Sequence, residues 1–284
     1  MTFPKKSLHA CLFLILSLAL TGCIRVETIL FINKDGSGTI TEKVMVSKTF
    51  VEMLKSFRGA FEEEGKSEPF SLLDEDRLRE DASSYGEGVT YRSSSSADSK
   101  DWEGYTVTYS FADVTKIRMT MDQDEKVDTG MPSGDPFGGE EPEEVTEEEE
   151  EFYYFGFEGG SNPVLTINRK EAAKDESEAD VTESENEDPS MGDMNEEVLK
   201  MFDGMGFKMA IVVDGKITET NASFSDKSTV TLLDMDFSEM MKNKEAFVEM
   251  TKAKPETAEE MKAFMDRLPG MKVELEQPVT VRFK

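Results

Sequence analysis

Alternating apolar and polar positions dominate the chain after residue 23. Ile24–Ile32 is rich in β-branched residues, and Thr39–Val46 alternates almost strictly. The two runs flank the dipeptide Asp35-Gly36, a pattern typical of a β-hairpin. By the same criteria we expect further strands at 88–93, 104–111, 152–157, 163–168, 207–213, 216–220, 229–235 and, as one or two strands, within 271–283, with a Ser-rich connection at 94–101.

Helical signals lie between these groups of strands. Thr49 and Glu52 form a capping box, and apolar residues at helical spacing follow it, so we predict an amphipathic helix over 48–64. A second capping box, Thr257 and Glu260, begins a helix that Pro269 stops. Other helices are expected at 71–84, 196–202 and 236–252. Strands grouped as hairpins with helices between the groups predict an α+β fold, in which antiparallel sheets are covered by packed amphipathic helices.

Two acidic stretches interrupt this pattern. Residues 122–151 contain 14 acidic residues and one Lys, and residues 171–197 contain 12 and one Lys. Together they carry 24 of the chain's 28 net negative charges. Since such runs repel themselves and bury little apolar surface, we expect both to be disordered.

These composition changes divide the 284 residues into six parts. We expect a signal peptide at 1–22, an N-terminal α+β part at 23–121, an acidic disordered segment at 122–151, a strand pair at 152–170, an acidic disordered linker at 171–194 and a C-terminal α+β part at 195–284. The N-terminal and C-terminal parts either fold separately or form one domain.

The first 23 residues have the organisation of an export signal. Lys5 and Lys6 precede an apolar run from Ala10 to Leu20, too short to span a bilayer. The run ends in Leu20-Thr21-Gly22-Cys23, which resembles the lipobox of bacterial lipoproteins. The resemblance implies cleavage between Gly22 and Cys23 and lipidation of Cys23. The alternative is an ordinary signal peptide followed by a chance Cys.

The folded body also resembles a known group of proteins. The relevant segments are the Asp35–Gly38 turn, the strand Tyr105–Phe111 and the segment Val213–Ala222. With a lipobox Cys leading directly into a strand, they are similar to uncharacterised bacterial lipoproteins of the mycobacterial LppM type. The resemblance implies an α+β domain close to a membrane and supplies no activity.

The composition excludes several chemistries. His9 is the chain's one His and lies in the signal, as does Cys11, so only Cys23 of the reactive types remains after cleavage. This excludes His-dependent nucleophilic triads and Cys or His metal sites, and we expect no cofactor and no metal centre. The net charge of −28 argues against nucleic acid, since phosphate binding needs clustered cations. Enzymes using carboxylates or Ser-Lys pairs remain possible.

Several polar or aromatic segments have the residue types of a functional site, and each also has a simpler structural interpretation. Asp234 and Asp236 are expected to end a strand and cap a helix. Ser93–Ser96 are expected to form a flexible hairpin tip rather than a nucleophile, since Lys100 lacks a supporting motif. Asn221 starts an Asn-x-Ser sequon that a bacterial lipoprotein would not use. The run Phe152–Phe157 is predicted to be an edge strand or a contact surface. No catalytic residue is assigned.

These observations favour a lipid-anchored protein of the cell envelope with a non-catalytic binding or scaffold role. The alternatives are a carrier or sensor of lipid or another hydrophobic ligand, and an envelope hydrolase using carboxylates. The expected partners are the membrane, through Cys23, and cationic envelope proteins or weakly bound divalent cations. We expect the outer membrane if the host has one, and otherwise the outer face of the plasma membrane. A closed core, an apolar tunnel near Cys23 or a cleft with paired carboxylates would distinguish the three functions.

Overall fold

Two β-sheets make up most of the part of the chain that the computed structural model describes, residues 24–61, 71–120, 152–170, 204–253 and 257–284. The strands are β1 (Ile24–Ile32), β2 (Gly38–Ser47), β3 (Thr90–Asp98), β4 (Trp102–Phe111), β5 (Arg118–Thr120), β6 (Phe152–Glu158), β7 (Val164–Lys170), β8 (Gly206–Val213), β9 (Ile217–Thr220), β10 (Ser225–Asp226), β11 (Thr229–Asp236), β12 (Met271–Val273) and β13 (Val279–Phe283). The α-helices are α1 (Lys48–Phe61), α2 (Glu75–Glu80), α3 (Phe237–Met240), α4 (Lys244–Ala253) and α5 (Ala258–Met265).

The first sheet has eight strands and joins distant parts of the chain. Its order is β10-β11-β8-β1-β2-β4-β3, with β12 also paired to β11. β1 lies between β2, with which it is antiparallel, and β8, with which it is parallel. Val26, for example, is opposite Val44 on one side and Phe207 on the other. Strands from the N-terminal and C-terminal parts therefore share one sheet.

The turn between β1 and β2 has the geometry that its sequence predicts. Gly36 has φ +86°, a conformation that glycine adopts without steric cost. Asp35 accepts hydrogen bonds from the backbone N–H and the hydroxyl of Ser37, and these bonds lower the pKa of the Asp35 carboxyl. A Cβ at Gly36 would lie 2.9 Å from the ring of Phe157, so the turn also contacts the second sheet. The predicted hairpin is confirmed.

The second sheet has five antiparallel strands in the order β5-β6-β7-β13-β9. Buried residues of both sheets belong to one hydrophobic cluster, which includes Leu30 and Ile40 of the first sheet and Leu165 and Phe283 of the second. The main core therefore lies between the two sheets, because each sheet buries one of its faces against the other. Phe50 and Val51 of α1 add to the same cluster.

The predicted α+β class is wrong, since the described chain is mostly β. Its α-helices have four to fourteen residues and cover only parts of the sheets. The helix predicted at 71–84 is α2 followed by a 3-10 turn, and that at 236–252 is α3 and α4 separated by another 3-10 turn. Helices form near four of the predicted positions, but buried strand residues of both sheets share one cluster, so the sheets cover each other.

Three local predictions also need correction. The Ser-rich segment 94–101 was expected to be a connection, whereas Ser94, Ser95 and Ser96 lie within β3 and pair with β4. The strands predicted at 207–213, 216–220 and 229–235 follow one another closely, as in a meander, whereas β9 leaves the first sheet and joins the second beside β13. β6 lies between β5 and β7, so the predicted edge position of Phe152–Phe157 is wrong. The acidic segments and the helix expected at 196–202 lie outside the described residues.

A smaller hydrophobic cluster lies under the C-terminal helices. Its buried members are Met240, Ala246, Phe247, Leu268 and Met271. Phe237 stacks edge-on with Phe207 of β8, with ring centroids 6.4 Å apart, and connects this cluster to the first sheet. Unbranched Met side chains fill such irregular spaces well. The Met side chains of this region therefore serve in part to fill the cluster.

Candidate functional site

The predicted anchor residues, Gly22 and Cys23, lie just outside the described residues. Ile24 is already the first residue of β1, in the middle of the first sheet. Ile24 is opposite Val46, and Ser47 is opposite Trp102. We call this end of the first sheet, with Ile24, Arg25, Ser47 and Trp102, the anchor end. No helix among the described residues is long and apolar enough to cross a membrane.

Arg25 and Trp102 form a cation–π pair at the anchor end. The guanidinium carbon of Arg25 lies 4.6 Å from the centroid of the Trp102 ring, and Arg25 Nε donates a 2.7 Å hydrogen bond to the carbonyl of Gly204. The side chain of Arg25 is exposed, and that of Trp102 is partly exposed. The pair therefore presents an aromatic surface and a cation to solvent.

Glu42 is a carboxylate buried in the main core, with 4% of its surface exposed. It occupies an inward position of β2 between Ile40 and Val44. The hydroxyl of Tyr85 donates a 2.5 Å hydrogen bond to Glu42 Oε2. Thr28, on the neighbouring strand, is opposite Glu42. We call Glu42 and the tyrosines around it the Glu42 cluster.

Three tyrosines belong to the Glu42 cluster: Tyr85, Tyr105 and Tyr109. The rings of Tyr85 and Tyr109 have centroids 5.2 Å apart. Burial raises the pKa of all three phenols far above the usual value, and the nearby negative charge of Glu42 raises each pKa further. The phenols therefore keep their protons at neutral pH and act as hydrogen-bond donors.

Glu274 is a second buried carboxylate, 3% exposed, directly after β12. Its Oε2 accepts hydrogen bonds from the backbone N–H groups of Ser223 (2.7 Å) and Phe224 (3.3 Å), and its Oε1 accepts one from Glu276 (3.0 Å). Sequence reasoning did not single out this residue. We call this arrangement the Glu274 clamp, because it holds the segment before β10 against the segment after β12.

A groove lies beside the Glu274 clamp, between α5, β12 and the segment 223–224. Its volume is about 450 Å³, within the range typical of ligand sites. The floor is apolar, with Phe224, Met265, Met271, Val273 and Leu275. The rim carries Glu259, Asp266 and Glu276 against a single cation, Lys262. This arrangement, the α5 groove, combines apolar surface with a net negative rim.

The capping box predicted for α5 is confirmed and positions one wall of the α5 groove. The hydroxyl of Thr257 accepts a 3.2 Å hydrogen bond from the N–H of Glu260, and the Glu260 carboxylate accepts one from the N–H of Thr257. This reciprocal pair satisfies two N–H groups at the helix N-terminus. The cap therefore fixes the start of α5 at Thr257, and with it the wall of the groove that carries Lys262 and Met265.

A second groove of about 280 Å³ lies on the outer face of the first sheet near the anchor end. Charged side chains of both signs line it, including Glu27 and Lys208, which bond to each other at 2.8 Å, and Asp234, which pairs with Lys272 at 3.1 Å. Arg25 and Lys43 also line it. Its lining is therefore rich in charge, unlike the apolar tunnel expected of a lipid carrier.

The two buried carboxylates are too far apart to act together. Glu42, Thr28, Met209, Leu233 and Val273 are opposite one another along successive pairs of strands. Four strand spacings of about 4.8 Å place β12 about 19 Å from β2. Paired carboxylates of glycoside hydrolases are about 5–9.5 Å apart. Within the described ranges, no three or more His, Cys, Asp or Glu side chains are grouped to hold a metal ion.

The candidate residues from the sequence have structural roles. β11 ends at Asp236, which caps α3 by accepting from the N–H of Glu239, so the expected strand end and helix cap are confirmed. Asp234 also pairs with Lys272. Asn221 accepts from the N–H of Thr280 and donates to the carbonyl of Pro278, which fixes the start of β13. Ser93–Ser96 lie in β3, so the predicted hairpin tip is wrong there.

The run Phe152–Phe157 divides its side chains between two faces of the second sheet. Tyr153 and Phe155 are buried, whereas Tyr154 is 46% exposed, the most exposed large hydrophobic side chain among the described residues. Phe152 and Tyr154 contact each other edge-on at 6.3 Å. The contact-surface alternative for this run therefore remains a prediction for its outer face alone.

Comparisons with known proteins give little further information. No protein-family model matches the chain, and no curated protein sequence matches it. Among solved structures, the chain is similar to the folded domain of LppM from Mycobacterium tuberculosis, determined by NMR. The two are 8% identical, the similarity covers 74% of this chain and 81% of that chain, and the TM-score is 0.28. The LppM-type resemblance noted in the sequence thus recurs in the structural comparison, and at this TM-score it carries no argument about function.

Proposed function

We propose that this chain is a lipoprotein of the bacterial cell envelope that is anchored through lipid on Cys23 and binds a cationic partner without catalysis. The α5 groove is the observation that carries this proposal. Its apolar floor suits the apolar side chains of a peptide segment, and its net negative rim suits a segment with Lys or Arg beside them. The occupant is therefore a cationic amphipathic segment of another envelope protein.

The anchoring part of the proposal is supported by the sequence around Cys23. The signal-like run ends in Leu20-Thr21-Gly22-Cys23, and strand β1 begins at the next residue. Two or more acyl chains hold a protein stably at a bilayer, whereas one chain is marginal. The host's outer membrane is the expected site if one exists, and otherwise the outer face of its plasma membrane.

The non-catalytic part is supported by how the buried polar groups are used. Glu42 accepts from Tyr85, and Glu274 accepts from three backbone N–H groups, so each carboxylate has partners within the fold. The sequence after Cys23 contains no His and no further Cys to serve as base or nucleophile. Envelope substrate turnover abolished by Glu42→Gln or Glu274→Gln would contradict this part.

The anchor is tested by a matched pair of cysteine substitutions. Cys23→Ser should leave an uncleaved precursor that incorporates no fatty acid, because the thiol is the lipid acceptor. Cys11→Ser removes the chain's other thiol and should be processed like wild type. Both are measured by radiolabelled palmitate incorporation and electrophoretic mobility after membrane fractionation. Labelling of the Cys23→Ser protein would refute the anchor.

The α5 groove is tested with two amphipathic peptides that share apolar residues and carry either Lys or Glu. Mature protein should bind the Lys peptide more tightly in a fluorescence anisotropy titration. Glu276→Gln or Asp266→Asn should weaken that binding about fivefold each, equivalent to about 1 kcal/mol for an exposed charge. Leu275→Gln should weaken it at any salt concentration, because it alters the apolar floor.

The control for the α5 groove is Glu87→Gln. Glu87 is exposed and pairs with Lys116 at 3.5 Å, and it does not line the groove. This variant should bind the Lys peptide like wild type. Equal affinity for the Lys and Glu peptides, or equal weakening by Glu87→Gln and Glu276→Gln, would refute the cationic occupant.

A further inference from the structure

The chain's single Trp lies at the anchor end, and its position defines how the body meets the membrane. We infer that Trp102 and Arg25 insert into the head-group layer of the bilayer that holds Cys23, so that the first sheet stands with its anchor end against the lipid. This inference rests on the proposed lipid anchor and adds a second contact between the protein and the membrane, besides the lipid on Cys23.

The strand register places Trp102 level with the anchor. Ile24 is opposite Val46, and Trp102 is opposite Ser47, one residue further along the same strand. Trp102 therefore lies one residue beyond Ile24 along the strand direction, toward the end where Cys23 precedes Ile24. Consecutive Cα atoms are about 3.8 Å apart. The head-group region is about 6 Å thick on each side of a bilayer. A lipid on Cys23 therefore brings Trp102 to head-group depth.

The chemistry of the two side chains suits that depth. Tryptophan has an apolar ring and one N–H donor, and it is enriched where hydrocarbon meets water. Apart from its stacking with Arg25 and its strand pairing with Ser47, Trp102 forms hydrogen bonds with Ser99 through its backbone atoms alone. Its indole N–H is thus available to a lipid carbonyl or phosphate oxygen.

Arg25 is a cation at this end that has no carboxylate partner among the described residues, as is Lys100 in the turn before Trp102. Lys48 pairs with Asp98 at 3.0 Å, and Lys55 pairs with Glu103 at 3.6 Å. Arg25 instead bonds to a carbonyl and stacks on Trp102, with no ion pair in the described part of the chain. Guanidinium groups bind phosphate in a bidentate manner. Arg25 is therefore placed to bind a lipid phosphate beside the Trp102 ring.

The single Trp makes the inference directly measurable. Lipidated protein extracted from native envelopes is reconstituted into phosphatidylcholine vesicles that carry a spin label at the head group or deep in the acyl chains. We expect the head-group label to quench Trp102 fluorescence about twofold more than the deep label. Arg25→Gln should reduce head-group quenching, and the matched variant Lys34→Gln, at the opposite end of β1, should not.

Relocating the fluorophore supplies the decisive control. In Trp102→Phe/Phe31→Trp the reporter lies near the far end of β1, eight residues or about 26 Å away along the strand, and should be quenched by neither label. Equal quenching at both positions, or no quenching of Trp102 in vesicle-bound protein, would overturn the inference while leaving the anchor intact. Protein that fails to remain with the vesicles would instead refute the lipid anchor and the inference together.

Discussion

The Glu42 cluster and the Glu274 clamp bury the same functional group in two different ways. Glu42 lies in the core between the sheets and accepts from a side-chain hydroxyl, that of Tyr85. Glu274 lies beside the α5 groove and accepts from backbone N–H groups of Ser223, Phe224 and Glu276. A side-chain partner can be replaced by mutation, whereas a backbone partner cannot.

This difference shows what each carboxylate stabilises. The Glu42 cluster connects the 3-10 turn after α2 to β2 and β4, so it belongs to the global fold. The Glu274 clamp fixes two connecting segments at one wall of the α5 groove. We therefore expect changes at Glu42 to alter global stability, and changes at Glu274 to alter the groove as well.

The largest expected effect is that of Glu42→Ala. The change leaves the Tyr85 hydroxyl buried without its acceptor and creates a cavity, so we expect a loss of about 3–4 kcal/mol in the free energy of unfolding. Urea denaturation of the mature protein measures this loss. A loss below about 1 kcal/mol would mean that Glu42 does not contribute to the fold as described.

A double substitution distinguishes the side-chain partner of Glu42 from the backbone partners of Glu274. Glu42→Leu/Tyr85→Phe removes both partners of a buried hydrogen bond, so we expect it to recover about 2 kcal/mol relative to Glu42→Leu alone. No second side-chain change can restore Glu274→Leu, because its donors are backbone groups. Additive losses at Glu42 and Tyr85 in the denaturation curves would contradict the pairing.

High pH should weaken the Glu42 cluster selectively. The folded state raises the pKa of Tyr85, Tyr105 and Tyr109, so these phenols keep their protons when the unfolded chain begins to release its own near pH 10. The stability conferred by this difference is present below pH 10 and is lost as pH rises toward the folded-state values. Each tyrosine lowers the free energy of unfolding by about 1.4 kcal/mol per pH unit in that range.

Urea denaturation at several pH values above 10 measures this slope. Tyr85→Phe should reduce this slope by the contribution of one tyrosine, about 1.4 kcal/mol per pH unit. Glu274→Gln should leave the slope unchanged, since the clamp contains no phenol. A Tyr85→Phe protein with the wild-type slope would show that this phenol does not titrate with the cluster.

The smallest expected effect concerns the wall of the α5 groove. Thr257→Ala removes the capping hydroxyl of α5 and should cost about 1 kcal/mol of local stability. Hydrogen exchange should show faster exchange in the first turn of α5 and unchanged protection in β1 and β2. Thr257→Ser keeps the hydroxyl and is the matched control. Equal exchange in the two variants would show that the cap does not hold the wall.

The position of Glu42 in the alternating pattern of β2 already indicates that its side chain is buried. In Thr39–Val46 the apolar residues Ile40, Val44 and Val46 share one face of the strand, and Glu42 falls on the same face. A charged residue in the buried phase of an alternating strand indicates a buried polar contact. Glu274 lacked such a signal, because it follows a three-residue strand and two of its three donors lie about 50 residues earlier in the chain.

The sequence by itself determined the local elements of this protein. Alternation and the Asp35-Gly36 turn predicted the β1–β2 hairpin, and the Thr257–Glu260 box predicted the start of α5, since both depend on neighbours within a few residues. Only the tertiary structure decided that β8 pairs with β1, that β9 joins the second sheet and that the sheets bury each other. These pairings join segments as far as about 180 residues apart, and they depend on which faces fit together, which no local pattern encodes.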